Sequence, residues 1–334
     1  MNLGVICSHQ RLRHIKFTRS VNRLLGTIPA NNQIMRTKSI PRQLTLTLAI
    51  FPIIFFLTGC TEDPPGENRY SESDGLFEKA SKNAESAGLE IITSIDHSRL
   101  AAEDDAGMPP ARVLIFSDSS LDAAILKTNP LAGIDLPFRV LAFEPEGGGG
   151  KVIYNHWAYL SSRYDLPADG ELEKRYRTLI DEALADIDPS QIAAFEQNEM
   201  KPDGIITHLS DYDFETTLEN VHKAIANAEG TAVFGEMDFQ ARSREVGVEL
   251  PGATLILWGA PVPGAKAMAS GPTLGLDAFC QKFLIWEGED GKVRLSYNDL
   301  LALADRQGVR SPPLQVITRQ IEHTFEPAIT AAAE

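Results

Sequence analysis

"ARVLIFSDSSLDAAILKTNPLAGIDLPFRVLAFE" (111–144) has a diverged counterpart later in the same chain. A shift of 142 residues lays it on "ATLILWGAPVPGAKAMASGPTLGLDAFCQKFLIWE" (253–287), with one residue inserted in the second stretch. The apolar run "VLIF" (113–116) then coincides with "LILW" (255–258). Self-similarity at a fixed spacing is the signature of a repeated structural unit. The sequence therefore predicts a duplicated domain.

The match continues on both sides of this stretch. Upstream, the offset of 142 pairs Leu76 with Leu218, Gly88 with Gly230 and Asp96 with Asp238. Downstream, the offset becomes 143 and pairs Tyr154 with Tyr297, Asn155 with Asn298 and Arg163 with Arg306. A single gap over this length makes a chance match untenable.

Both copies predict the same order of elements. A helix is followed by a strand, a buried strand, a short helix, two strands joined by a Gly-rich turn, and a closing helix. The expected ranges are 74–87, 89–96, 112–117, 119–128 and 155–164, and in the second copy 214–228, 231–238, 253–259, 261–269 and 298–307. A leading strand is expected at 204–210 in the second copy, with a weaker candidate at 68–72 in the first. The fold class is therefore α+β, with antiparallel strands covered by helices in each copy.

We expect copy one at 75–167, a helical connector at 168–203, copy two at 204–310 and a C-terminal helix or tail at 311–334. The connector reads as two helices separated at Pro189. The tail reads as one helix whose inward face holds Leu314, Ile317, Ile321 and Phe325. The two copies should pack as a pseudo-dimer within a monomeric protein.

The N-terminal part has the layout of a lipoprotein signal peptide. A basic segment, Met35–Gln43, precedes the apolar run "LTLTLAIFPIIFFL" (44–57), which is too short to span a membrane comfortably. The run ends in Leu57-Thr58-Gly59-Cys60, which resembles the bacterial lipobox. The resemblance implies lipidation of Cys60, cleavage after residue 59 and a tether at 60–74. Thr61 after the cysteine resembles the signal for the outer membrane, so the expected place is the periplasmic face of that membrane.

Alternatives remain for this part of the chain. A signal anchor with a chance cysteine is the alternative to lipidation. Residues 1–34 are basic and contain no acidic residue. We expect Met35 to be the true start and 1–34 to be an upstream segment assigned in error, with a long basic leader as the alternative.

The charge of the mature chain argues against nucleic acid as a partner. Residues 1–59 contain 8 of the 31 basic residues and none of the 46 acidic ones, which leaves 23 basic residues and a formal charge of −23. Nucleic acids require basic surfaces, and anionic lipids do as well. Membrane attachment is therefore expected from the acyl chains. If Cys60 is lipidated, Cys280 is the remaining cysteine and no internal disulfide can form.

The first copy resembles the bacterial and archaeal domain of unknown function 302 family. The residues that carry the resemblance are Ile95-Asp96-His97, Gly107, "VLIF" (113–116), Asn129-Pro130, Ile134-Asp135-Leu136-Pro137 and "YNHWAYLSSRY" (154–164). Copy two retains Asp238, Leu276-Asp277 and "YNDLLALADR" (297–306), but it has Phe239 where copy one has His97. The resemblance implies a β-α-β4-α topology like that of the TATA-binding protein, which is consistent with the order of elements above. It implies neither DNA binding nor any established activity.

His97 is the first candidate binding residue. Its neighbour Asp96 should point to the opposite face of a strand end, so the two cannot form a dyad. His97 could instead pair with Asp135 or Glu144 as a ligand-binding group or base. The alternative is a structural histidine. Because copy two has Phe239 at this position, a role specific to copy one is favoured.

Asp135, Tyr154 and Asn155 complete the candidate binding set. Asp135 has a counterpart in Asp277, and this retention favours turn or cap chemistry. Tyr154 and Asn155 open the closing helix, where Asn is a favoured N-cap. No catalytic residue is assigned.

Cofactor and metal motifs are not predicted. The histidines have no metal-ligand spacing and no cysteine pair accompanies them. Gly147–Gly150 before Lys151 reads as a hairpin tip rather than a phosphate loop, because no Ser or Thr follows the lysine. Cys280 is expected to be buried and inert. We therefore expect no cofactor and no metal.

The leading hypothesis is a lipid-anchored, non-catalytic module that binds a small molecule or an envelope protein through a groove near His97. The first alternative is a hydrolase-like enzyme that uses His97 with an acidic partner. It requires an exposed His97 with a carboxylate about 3 Å away. The second alternative is a structural spacer without a pocket.

Overall fold

The computed structural model describes residues 67–195 and 204–331. The upstream segment 1–34, the signal peptide at 35–59 and Cys60 lie outside the described residues. Thr61–Glu334 forms one compact unit. Within the described ranges, ten strands form two five-stranded sheets, one for each copy. The predicted α+β fold is confirmed.

Copy one forms the first sheet. Its elements are α1 (Ser71–Ser86), β1 (Glu90–Asp96), α2 (His97–Glu103), β2 (Ala111–Ser117), α3 (Ser119–Thr128), β3 (Phe138–Phe143), β4 (Lys151–Asn155), α4 (Trp157–Tyr164), α5 (Glu171–Ala183) and β5 (Ile192–Phe195). The strand order is β1-β2-β3-β4-β5. The pairs β1–β2, β2–β3 and β3–β4 are antiparallel, whereas β5 lies parallel to β4.

Copy two forms the second sheet. Its elements are β6 (Ile205–Leu209), α6 (Phe214–Asn227), β7 (Ala232–Asp238), α7 (Phe239–Glu245), β8 (Ala253–Gly259), α8 (Pro261–Met268), β9 (Gln281–Glu287), β10 (Val293–Asn298), α9 (Leu300–Arg306) and α10 (Pro313–Ile329). The strand order is β6-β10-β9-β8-β7, and all neighbours are antiparallel. Copy two thus has the predicted leading strand.

The edge strands correct two expectations. The candidate strand at 68–72 is helical, because a 3-10 helix, Glu67–Tyr70, runs directly into α1. The second connector helix is replaced by a 3-10 helix, Pro189–Gln191, and by β5, which occupies the edge of β4. The strands β4 and β10 are equivalent in the two copies. The edge of β10 is paired with β6, which precedes the rest of copy two in the chain, whereas the edge of β4 is paired with β5, which follows the rest of copy one.

α5 and α10 hold equivalent places in the two copies. Each follows the closing helix, and each packs on the first long helix of its copy, α5 on α1 and α10 on α6. The inward face predicted for the C-terminal helix is confirmed, since Leu314, Ile317, Ile321 and Phe325 are all buried. We therefore count α5 with copy one and α10 with copy two.

The central strands are buried on both faces. The side chains of Val113–Phe116 on β2 are all fully buried. One face of copy one's sheet is covered by α1, while β2 and β3 also meet the 3-10 helix Pro272–Gly275 of copy two. In return, Pro130–Ile134 of copy one packs on β8, β9 and β10. This exchange explains why these strands read as continuous apolar runs rather than alternating ones.

Glycines allow this close approach. A Cβ on Gly133 would lie 3.0 Å from Leu284 Cδ1 and 3.2 Å from Phe239, and a Cβ on Gly275 would lie 2.9 Å from the His97 ring. The two glycines are equivalent under the repeat, as are His97 and Phe239. The two copies therefore pack as a pseudo-dimer with matching contacts in both directions.

The described residues include no helix that is long and apolar enough to cross a membrane.

Candidate functional site

Asp135 lies in a buried polar cluster between the two copies. Its Oδ2 is 2.6 Å from Arg163 Nη1 and accepts a hydrogen bond from the Tyr164 hydroxyl at 2.7 Å. Its Oδ1 is 2.7 Å from Lys282 Nζ, which comes from copy two. Sequence reasoning assigned Asp135 to turn chemistry. Its charge instead joins the two copies.

The counterpart Asp277 makes the related contacts of copy two. Its Oδ2 is 2.9 Å from Arg306 Nη1, and its Oδ1 accepts a hydrogen bond from Asn155 Nδ2 at 2.7 Å. Arg306 Nη2 donates to Asn155 Oδ1 at 2.7 Å, and in the matching contact Arg163 Nη2 donates to Asn298 Oδ1 at 2.5 Å. Each asparagine thus binds the arginine of the other copy.

We call these residues, together with Arg139, the inter-copy cluster; its members are Asp135, Arg139, Asn155, Arg163, Asp277, Lys282, Asn298 and Arg306.

Burial alone would raise the pKa of Asp135, but Arg163 and Lys282 outweigh this and hold its pKa well below the usual range. Burial lowers the pKa of Lys282, and Asp135 opposes that shift. Removing one partner from a buried ion pair leaves the other charge uncompensated, at a cost of about 3–5 kcal/mol. The cluster therefore fixes how the copies fit together.

The position of Asn155 suggested that it caps the closing helix, but it does not. The N-cap of α4 is His156, whose Nδ1 accepts from the Ala158 N–H at 3.2 Å, and the N-cap of α9 is Asp299. The N-cap lies one residue later than expected, so Asn155 stays on β4 and points into the cluster. Tyr154 points to the other face of the sheet, where it is half-buried.

His97 is buried at the same interface, but it contacts a different part of copy two. It begins α2 rather than ending a strand, and Asp96 is the N-cap. Its Nε2 is 3.2 Å from the Gly275 carbonyl oxygen. Because a carbonyl can only accept, Nε2 carries the proton. Burial lowers the pKa of His97 to about 4, although the hydrogen bond to Gly275 opposes this, so the ring is neutral at neutral pH.

The surroundings of His97 leave no room for a ligand. The cavity that it lines measures only about 20 Å³, which is close to the volume needed for one water molecule. The expected groove beside His97 is therefore not formed. The expected partners are also engaged elsewhere: Asp135 binds Arg163 and Lys282, and Glu144 Oε1 accepts from the Ser73 N–H. Phe239 makes the equivalent contact on Gly133, so this position packs the interface in both copies.

A large cleft with a partly apolar lining lies in copy two. This copy-two cleft has a volume of about 680 Å³ and is bounded by α6, α8 and α10. Trp258, Phe279 and Gln281 lie at its floor, and Ile317 and Phe325 form the α10 side. Pockets for small molecules are commonly 300–1,000 Å³ and mostly apolar.

Two residues that line this cleft each have a buried polar atom without a hydrogen-bond partner. Trp258 and Gln281 are 4% and 8% exposed, yet Trp258 Nε1 and Gln281 Oε1 are unpaired. The other two tryptophans differ, since Trp157 Nε1 donates to Pro167 O and Trp286 Nε1 donates to Ser296 Oγ. An unpaired buried donor or acceptor costs about 1–3 kcal/mol. An unpaired donor and an unpaired acceptor on two lining side chains are candidate contacts for a ligand.

Copy one has a groove in the equivalent place, but its interior is closed. The copy-one groove, about 650 Å³, is lined by charged side chains that include Glu90, Asp118, Lys174 and Arg175. The repeat places Phe116 and Phe138 where copy two has Trp258 and Gln281. Phe138 packs edge-on against Tyr176 of α5, with ring centroids 5.2 Å apart.

Sequence reasoning missed the cleft and the cationic half of the inter-copy cluster. Arg163 and Arg306 had served only as evidence for the repeat. The available signal was a cation inside an apolar strand, in "FRVLAFE" (138–144) and "QKFLIWE" (281–287). Such a charge requires a partner, and the sequence offers the equally retained Asp135 and Asp277.

Within the described ranges, no group of three or more His, Cys, Asp or Glu side chains is arranged to hold a metal ion. Cys280 is free and buried, and burial raises the pKa of its thiol.

Comparison with known proteins gives partial relatives. The chain is 31% identical over 100 residues to "Fluoride-specific ion channel FluC 1" of Brucella suis biovar 1 (strain 1330), which covers 30% of this chain and 39% of that protein. The protein of the same name from Brucella abortus biovar 1 (strain 9-941) is also 31% identical over 100 residues, which are 37% of its length. The chain thus spans about two fifths of the length of these relatives.

The chain also matches one solved structure in part and one protein family over most of its length. The crystal structure of an uncharacterized conserved protein DUF302 from Bacillus stearothermophilus aligns with a TM-score of 0.32 and 16% identity, over 38% of this chain and 96% of that one. The family described as "Domain of unknown function DUF302" matches residues 70–187 and 206–332, which together make up more than half of the chain. The predicted resemblance is confirmed, and the chain belongs to the DUF302 family, which it matches in two successive regions.

Proposed function

We propose that this chain is a lipid-anchored protein of the bacterial envelope that binds a small, partly apolar molecule in the copy-two cleft. The observation that carries the proposal is a cleft of about 680 Å³ whose lining residues Trp258 and Gln281 each have an unpaired buried polar atom, Nε1 and Oε1. The anchor rests on Leu57-Thr58-Gly59-Cys60 at the end of an apolar run.

The open atoms define the ligand's polar part. Trp258 Nε1 requires an acceptor, and Gln281 Oε1 requires a donor. A hydroxyl or a primary amide offers both from one group. The apolar side chains of Phe279, Ile317 and Phe325 would contact the rest of the ligand.

Binding is favoured over catalysis at His97. The hydrolase alternative requires an exposed imidazole beside a carboxylate. His97 is 6% exposed and faces a backbone carbonyl. A buried, neutral His97 ring that donates to the Gly275 carbonyl oxygen contributes packing and a hydrogen bond to the interface.

Native mass spectrometry of residues 61–334 tests the proposal. The protein would be incubated with a small-molecule extract of the bacterial envelope and then desalted. We expect a retained mass in the wild type that is lost in the double variant Trp258→Phe/Gln281→Leu. Lys174→Ala, in the copy-one groove, is the matched control and should retain the mass. A ligand-free wild type, or an adduct that survives in the double variant, would refute the proposal.

A further inference from the structure

The lining of the copy-two cleft carries very little charge. Among the described residues, Glu229 is the only ionisable one that lines it, and Glu229 is exposed to solvent. Most of the other polar side chains in the lining are amides and hydroxyls, such as Asn227, Gln320 and Thr324. The copy-one groove differs, because it is lined by charged residues of both signs: Glu90, Asp118, Glu171, Lys174, Arg175 and Glu182.

The helix start that reaches the cleft is a poor site for an anion. α8 begins at Pro261, and Ala260, Pro263 and Gly264 line the cleft. Pro261 and Pro263 have no backbone N–H, and the Gly264 N–H already donates to the Ala260 carbonyl oxygen at 3.0 Å. The donors that make a helix start attractive to an anion are therefore mostly absent or engaged.

The helix end that reaches the cleft offers little to a cation. α6 ends at Asn227, and Ala224, Ala228 and Thr231 line the cleft. The Ala228 N–H donates to the Ala224 carbonyl oxygen at 3.1 Å, and the Thr231 hydroxyl lies 2.6 Å from the Ile225 carbonyl oxygen and 2.9 Å from that of Ala228. Free carbonyl groups at a helix end attract cations, but these carbonyls already accept hydrogen bonds.

The unpaired atoms of Trp258 and Gln281 also favour a neutral group. Trp258 Nε1 is a donor without an acceptor, and Gln281 Oε1 is an acceptor without a donor. A primary amide or a hydroxyl has both functions, whereas a carboxylate has no donor and an ammonium group has no acceptor. Neither charged group can therefore satisfy both side chains.

We infer that the copy-two cleft selects an uncharged ligand with a primary amide or hydroxyl group, and that it rejects the carboxylate or ammonium of the same shape; this inference rests on the function proposed above. A charged group that leaves water for an apolar cleft needs a partner there. The exposed Glu229 gives a cation little, because exposed ion pairs are weak. The excess of acidic residues in the chain disfavours an anion as well.

Fractionation of the envelope extract by charge tests this selectivity. The extract would be passed over an anion exchanger and a cation exchanger, and each fraction would be incubated with residues 61–334 before native mass spectrometry. We expect the retained mass to come from the fraction that neither exchanger binds. Retention from a charged fraction alone would overturn the inference and leave the proposed function standing. A ligand-free protein with every fraction would refute both.

A matched set of pure compounds measures the selectivity directly. Octanamide, octanoate and octylamine share one chain and differ in the charge of the head group at pH 7. Their binding would be followed at the Trp258 indole signal in ¹H–¹⁵N spectra. We expect octanamide to bind at least about tenfold more tightly than either ion, because the cleft has no buried partner for a charge. Octanoate or octylamine that binds as tightly as octanamide would overturn the inference.

A lysine introduced into the lining should weaken the selectivity against anions. Gln320 is an exposed residue of α10 that lines the cleft, so Gln320→Lys places a cation there. We expect a roughly threefold gain in octanoate affinity, the size of a solvent-screened ion pair. Gln315→Lys, at an exposed position of α10 outside the lining, is the matched control and should cause no gain. Equal octanoate affinities in the two variants would overturn the inference, because the charge of the lining would then have no effect.

Discussion

Copy one and copy two carry equivalent clefts that have diverged in opposite directions. In copy one, Phe116 and Phe138 close the interior and leave a charged groove above it. In copy two, Trp258 and Gln281 occupy those positions and line a cleft of about 680 Å³, and each has an unpaired buried polar atom. The difference indicates a division of labour after duplication, in which copy one provides a closed core and copy two retains an open site.

The interface between the copies differs from the clefts, because the interface residues of the two copies remain alike. Gly133 and Gly275 receive Phe239 and His97, and the asparagines of β4 and β10 bind the arginines of the opposite copy. Contacts that hold the copies together are thus retained, whereas positions around the cleft have changed.

The largest expected effect comes from the unequal roles of the two cluster carboxylates. Asp135→Ala leaves Arg163 and Lys282 without their carboxylate, so we expect a loss of about 3–5 kcal/mol in the free energy of unfolding. Asp277→Ala leaves one arginine uncompensated and should cost less. Urea titration gives both values. Asp290→Ala, an exposed partner of Arg294, should cause no measurable change, and an Asp135→Ala protein as stable as this control would contradict the account.

The pH dependence of stability should depend on two buried groups that oppose each other. The pKa of His97 is lowered from 6.5 to about 4, so its contribution to stability is lost as pH falls from about 6.5 to about 4. Burial raises the pKa of Asp122 from 3.8 to about 7, so its contribution is present at low pH and lost as pH rises through that range. Each contribution is on the order of 3 kcal/mol.

Single variants should separate these contributions. Asp122→Asn should make the protein less stable as pH falls from 6.5 to 4, and His97→Phe should make it more stable over the same range. His97→Phe copies the residue of copy two at this position, so the packing is retained. Denaturant titrations at several pH values measure both slopes, and the double variant is the control with the weakest dependence. Identical slopes for the two single variants would show that the assignment is wrong.

The two interface glycines should respond unequally to alanine. Gly275→Ala places a methyl 2.9 Å from the His97 ring, whereas Gly133→Ala meets the flexible end of Leu284 at 3.0 Å and the Phe239 ring at the longer distance of 3.2 Å. We expect Gly275→Ala to cost about 1–3 kcal/mol, since overpacking forces a rigid ring to move, and Gly133→Ala to cost less. His97→Ala in the Gly275→Ala background should recover part of the loss. Equal costs for the two glycines would argue against this difference.

The smallest effect on stability is expected in the copy-two cleft. Trp258→Phe removes an unpaired N–H and retains an aromatic ring, so the ligand-free protein should change by less than about 1 kcal/mol. Trp157→Phe breaks the hydrogen bond to Pro167 and should cost more. Thermal unfolding of both variants makes the comparison. A large loss for Trp258→Phe would mean that its N–H has a structural partner.

The sequence predicts the duplication and most of the secondary structure because these depend on local patterns. The strand β2 follows from a short apolar, β-branched run, and α10 follows from inward residues at helical spacing. The strand β5 was missed because "IAAF" (192–195) has no strand pattern of its own and forms by pairing with the open edge of β4. Its structure depends on a neighbour that the local sequence does not specify.

The sites depend even more on distant contacts. The partner of Lys282 is Asp135, and the partner of His97 is the carbonyl of Gly275, both across the interface between the copies. His97 looked like a binding residue because copy two lacks it, yet Phe239 performs the same packing. Retained identity in two copies predicted that Asp135 and Asn155 were structural, but their partners were not apparent from local spacing.

The indole N–H resonances test the central claim, that copy two binds the ligand, most directly. The chain has three tryptophans, and Trp157 and Trp286 already donate hydrogen bonds within the protein. In ¹H–¹⁵N spectra of residues 61–334, we expect the Trp258 indole signal, assigned through Trp258→Phe, to shift when the envelope extract is added. The other two indole signals should stay in place. A Trp258 signal that does not move while a ligand mass is retained would place the ligand elsewhere and contradict the account.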